Sequence, residues 1–210
     1  FALICTQLTL SSASAQTSEP SEQTIQQGHS VMEQGVAATN KGDFQQAIRH
    51  FTQLIALYPS IAPAYVLRGN AYSNLKDHSS AIRDYNQAIA LNPNDANVYY
   101  NRGTTYSDLK DLSSAIRDYT QAIALAPNFA AAYNNRGLAY QDIKDYSSAI
   151  RDYTQAIALN PNDAYAYNNR AVSLVLKKDY RNATRDARKA CSLGDCKVLE
   201  FLGQNSQLRD

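Results

Sequence analysis

Apolar and small side chains along this chain recur three and four residues apart, and the pattern itself repeats. In the stretch from Ala96 to Phe129, ANVYYNRGTTYSDLKDLSSAIRDYTQAIALAPNF, they fall at Tyr99, Gly103 and Tyr106, then at Ala115, Tyr119, Ala122 and Ile123. Such spacing lines one face of each of two helices and excludes the alternation of a strand. Pro59, Pro93, Pro127 and Pro161 recur every 34 residues. That is the length of a helix–turn–helix unit that buries its apolar face by stacking on its own copies.

Each copy carries its own punctuation. Asp43, Asp77, Asp111, Asp145 and Asp179 stand just before the second helical run, where a carboxylate can accept the orphan N–H bonds of a helix start. Gly35, Gly69, Gly103 and Gly137, with Ala171 in the fifth copy, remove bulk where the two helices approach. Phe51, Tyr85, Tyr119 and Tyr153 supply the large opposing side chain, so small packs against large. The prolines end the second helix because proline has no N–H and disfavours helix in the residue before it. Five copies follow: 28–61, 62–95, 96–129, 130–163 and 164–197. The first is worn, with Gln34, His50 and Leu54 where later copies carry Arg, Asp and Ala. The fifth degrades to ATRDARKACSL in its second helix, and Val198, Leu199 and Leu202 are expected to close it in a capping helix and tail over 198–210.

This unit resembles the tetratricopeptide repeat, from Gly28 to about Lys197. The resemblance implies an all-α fold: a right-handed α-solenoid of five helix–turn–helix repeats whose first helices line a concave groove. Asn101, Asn135 and Asn169 recur once per copy on those helices, accompanied by Asn70, Asn134 and Asn168. An amide offers the donor and acceptor that a peptide backbone also offers. First helices roughly 10 Å apart would meet every third residue of an extended chain. The resemblance supports this asparagine ladder, with Tyr100 near the groove wall; the competing reading is that the amides only tie neighbouring helices together. A basic clamp for a C-terminal carboxylate is not expected, because Met32, Val66, Tyr100, Asn97 and Ala131 hold the inward positions.

A second row is ionic. Arg68, Arg102, Arg136 and Arg170 lie beside the close-packing small residue, and Asp84, Asp118, Asp152 and Asp186 beside the opposing large one or its alanine replacement. Each Arg is expected to meet an Asp as a partly buried bridge, within its copy or at the neighbouring one.

The chain does not begin with Met, and residues are expected to be missing before Phe1. Phe1 to Leu10 is mostly apolar, and the small-residue pattern Ala13-Ser14-Ala15 follows, so residues 1–15 read as a signal peptide remnant cleaved after Ala15. This points to an exported, periplasmic or extracellular protein, with a cytoplasmic location as the alternative. About ten apolar residues cannot span a bilayer of roughly 30 Å, so no stable membrane span is expected. Residues 16–27, QTSEPSEQTIQQ, read as a polar linker. Cys191 and Cys196 flank Gly194 and are expected to form a disulfide in an exported chain.

Charge narrows the partners. A net +1, with Lys and Arg read as spread one or two per helix, argues against nucleic acid. His29, His50 and His78 share no metal spacing, no phosphate loop or nucleophile motif occurs, and no cofactor or metal is called for. The expected role is a non-catalytic adaptor that holds a peptide segment or helix of another protein. The alternative is an envelope assembly factor acting through self-association or its convex face.

Overall fold

The structure, a computed structural model, describes residues 21–204. The signal-peptide reading of 1–15, residues 16–20 of the linker and the tail from 205 lie outside the described residues. Those described form α1 (Glu22–Asn40), α2 (Phe44–Leu57), α3 (Ala62–Asn74), α4 (His78–Leu91), α5 (Ala96–Asp108), α6 (Leu112–Leu125), α7 (Ala130–Asp142), α8 (Tyr146–Leu159), α9 (Ala164–Leu176), α10 (Tyr180–Ser192) and α11 (Lys197–Gln204), with no strand among them. The fold is an all-α helical repeat. The chain divides into two compact units between Thr105 and Tyr106, within α5.

In the first unit α1 packs on α2, α2 on α3 and α3 on α4. In the second, each helix from α6 to α10 packs on the next, and α11 closes against α9 and α10. Every second helix starts on its aspartate: Asp43, Asp77, Asp111, Asp145 and Asp179 each accept from the backbone N–H three residues on. The turn before it is a Schellman stop. Lys76, Lys110, Lys144 and Lys178 sit at φ of 62, 62, 65 and 63°, and Gly42 takes that place in the first pair at 76°. The following aspartate N–H reaches back to a carbonyl of the first helix, as from Asp145 to Tyr140 at 2.8 Å.

A Cβ added at Gly35, Gly69 or Gly137 would lie 2.6, 2.8 or 2.7 Å from the ring of Phe51, Tyr85 or Tyr153. The fifth pair changes both sides together: Ala171 and Ala187 share one cluster, so the methyl that replaces hydrogen is accommodated by the loss of the ring. The first pair is held by the cluster of Val31, Met32, Phe51, Leu54, Tyr58 and Ile61.

The polar run expected to be a linker is helical from Glu22 onward. Ser21 caps α1 by accepting from Thr24 N at 3.2 Å, Glu22 places negative charge in the first turn, and Tyr58 donates to the Thr24 carbonyl at 2.9 Å. Tertiary contact from Tyr58 thus recruits residues that show no apolar period of their own. At the other end Leu202 of α11 is buried against Ala171, Leu174, Ala183 and Ala187, and Cys191 and Cys196 are joined by a disulfide.

Candidate binding face and the links between helix pairs

The arginine row is built from the same parts in each unit. Arg68, on α3, donates from Nε and Nη2 to the two carboxylate oxygens of Asp84, both at 2.8 Å, and from Nη1 to Thr52 Oγ1 of the preceding pair at 3.0 Å. Arg136 reaches Asp152 at 2.7 and 2.8 Å and Thr120 at 3.0 Å. Arg170 reaches Asp186 at 2.6 and 2.9 Å and Thr154 at 3.0 Å. Each guanidinium also lies over the tyrosine one turn earlier, at 5.7, 5.7 and 5.8 Å for Tyr65, Tyr133 and Tyr167. Arg102 lies over Tyr99 and donates to Asn86 Oδ1, and Asp118 is buried. The hydrogen bond to its aspartate is the main cause that raises the basicity of Arg68 and of Arg136. One side chain therefore fastens three helices.

The asparagines are partly committed to the fold. In the first unit Asn70 Oδ1 accepts from Tyr85 Oη at 2.8 Å and from Asn101 Nδ2 at 3.1 Å. Tyr100, half-buried on α5, has its carbonyl bonded by Thr104. In the second unit Asn169 Nδ2 donates to Asn134 Oδ1 at 3.3 Å, and Asn135 is half-buried. These amides pair across successive first helices, so they are not isolated rungs. Asn168 departs further from expectation. It is 7% exposed, its Nδ2 points to the Asp195 carbonyl at 3.4 Å, and it belongs to the junction of α9 with the α10–α11 loop instead of an open wall. The closing loop covers it, which a per-copy reading of asparagines does not reveal.

Two contributors were missing from the sequence reading. Gln141 Oε1 accepts from Tyr153 Oη at 3.4 Å and from Ser173 Oγ at 2.8 Å, linking α7 to α8 and α9. Burial raises the Tyr85 and Tyr153 hydroxyls above their usual range, so both remain donors. The recurring Tyr, where packing alone would accept Phe, was the available signal. The other is α10, where Arg181, Arg185, Arg188 and Lys189 stand on one helix against the expected one or two.

After these bonds, Asn101 and Asn169 each keep an amide carbonyl, and Asn134 its amide N–H groups, without a partner among the described residues. They offer both halves of a peptide hydrogen bond. Among the described residues no three His, Cys, Asp or Glu groups stand close enough to hold a metal, and no helix is long and apolar enough to cross a membrane.

Comparison with curated proteins finds no match. Among solved structures, the chain is similar to MamA, with 26% identity over 78% of this chain and 96% of that one at a TM-score of 0.73. YrrB, described as a tetratricopeptide repeat protein with an unusual peptide-binding site, aligns over 83% of this chain and 90% of its own, with 18% identity and a TM-score of 0.71. PilF of Pseudomonas aeruginosa aligns over 90% and 89%, with 18% identity and a TM-score of 0.76. Models of the tetratricopeptide repeat match residues 30–60, 69–110, 96–129, 130–163 and 152–185. With its helix pairs built on those segments, the chain belongs to the tetratricopeptide repeat family.

Proposed function

We propose that the protein is a non-catalytic adaptor whose first-helix faces hold a peptide segment or helix of another protein. Family membership supports a protein-interaction role in general. The observation that carries the finer reading is the unspent amide capacity of Asn101, Asn134 and Asn169, whose side chains are already fixed by bonds to one another or to Asn70. Side chains held in place lose less entropy when a ligand arrives. Selection of a random dodecapeptide library on the full chain should yield ligands, read by fluorescence polarisation. Asn101→Ala and Asn134→Ala should each weaken them about tenfold, an effect of about 1.4 kcal/mol, with unchanged circular dichroism. Ligands indifferent to both substitutions would place binding elsewhere.

We also propose that the protein works outside the cytoplasm. Its support is the Cys191–Cys196 bond, since disulfides persist in oxidising compartments. Thiol titration of protein taken from its native source should find both cysteines oxidised; free thiols would remove the support.

A further inference from the structure

The near-neutral net charge conceals an uneven distribution. The fifth copy, residues 164–197, holds eight Lys or Arg against three Asp; the rest of the chain holds twelve basic residues against sixteen acidic ones. The excess gathers on α10. Arg181, Arg185 and Arg188 are exposed, spaced i, i+4 and i+7, and so lie along one face over about 10 Å. With Tyr180, Asn182 and Thr184 they line a surface cavity of about 580 Å³.

These arginines differ from their counterparts in how they are held. In earlier copies the residue matching Arg185 is pinned within its own helix: Arg83 to Ser80 at 2.8 Å, Arg117 to Ser114 at 2.9 Å and Arg151 to Ser148 at 2.8 Å. In α10 the serine is replaced by Asn182, which donates from Nδ2 to Asp179 at 2.7 Å and accepts no bond from Arg185. Arg185 lies 3.9 Å from the flank of Asp186, a carboxylate that already takes both bonds of Arg170, and with Arg181 it feels the charge of Asp179 without a hydrogen bond to it. Arg181 and Arg188 have no acceptor among the described residues. Arg188 also stands where Thr120 and Thr154 accept from the next copy's arginine. An arginine from a further repeat of the same kind would therefore meet Arg188 where Thr120 and Thr154 offer a hydroxyl.

We propose that the outer face of α10 docks an acidic segment of another protein, separately from the first-helix faces. Three guanidiniums at one-turn intervals match carboxylates at the same spacing on a helix, and each can be engaged through two parallel N–H donors. The patch is one helix long, which suits a short segment; a bilayer and a duplex each present anionic groups over a larger extent.

The test uses the full chain and a fluorescein-labelled alanine-based helical peptide with glutamates at i, i+4 and i+7, beside the same peptide with glutamines. The glutamate peptide should bind at least tenfold more tightly than the glutamine peptide. The double substitution Arg181→Glu/Arg188→Glu should abolish that preference with little change in melting temperature, whereas Arg83→Glu and Asn134→Ala should leave it intact. Equal binding of the two peptides, or a preference that survives the double reversal, overturns the proposal. So does sedimentation with phosphatidylserine vesicles that the reversal abolishes when no peptide binding is seen, which assigns the face to a membrane.

Discussion

Asp77, Asp111, Asp145 and Asp179 link local sequence to acid stability. Each accepts a backbone N–H and a side-chain donor from the residue three positions on, Ser80, Ser114, Ser148 or Asn182, and those bonds hold its carboxyl below the ordinary value of 3.8. A carboxylate with a lowered folded pKa stabilises the fold above its unfolded pKa and loses that contribution as pH falls through the folded value. Melting temperature should therefore be flat above about pH 5 and fall below about pH 4, where these caps protonate. Replacing all four by Asn, which caps without titrating, should flatten the acid limb of a pH series followed by circular dichroism. An unchanged limb would assign acid lability to other carboxylates. The caps were legible because aspartate precedes each second helical run. The left-handed lysines were not, since nothing in a lysine marks a positive φ; only Gly42, at the same place in the first copy, hinted at it.

The helices themselves were readable because period and cap agree in all five copies and the proline in the first four. What sequence reading missed were features created by a partner element. The start of α1 is polar and becomes helical through Tyr58, a residue 34 positions away from the carbonyl it bonds. The asparagine row was visible, but its pairing was not: Asn101 donates to Asn70 and Asn169 to Asn134, and these acceptors occupy different places in their copies. Asn168 looked like a rung until the α10–α11 loop was seen to cover it. The recurrence of Arg and Asp sixteen residues apart announced a bridge. Its third arm was hidden because the acceptor on the preceding helix changes chemistry, from Thr52 to Asn86 to Thr120 and Thr154.

In a repeat protein each pair contacts only its neighbours, so stability is a sum of terms within pairs and between them. The arginine contributes to both terms. Its two bonds to aspartate act within a pair, and its bond to threonine acts between pairs. Arg136 is 15% exposed and Asp152 9%, so neither charge can easily be solvated once its partner is removed. Asp152→Ala should therefore cost about 3–5 kcal/mol. Thr120→Val removes only the arm to the preceding pair and should cost about 1.5–3 kcal/mol or less, since it breaks one bond to a charged donor. Adding Arg136→Leu to Asp152→Ala removes the stranded charge and should recover most of the loss, because an apolar side chain of similar reach can fill the space. Urea denaturation gives the three values, and a double-mutant cycle isolates the coupling. If Arg136→Leu recovers nothing, the cost of Asp152→Ala lies in lost packing, and the strap would be an accessory to a stack held by its alanines and tyrosines.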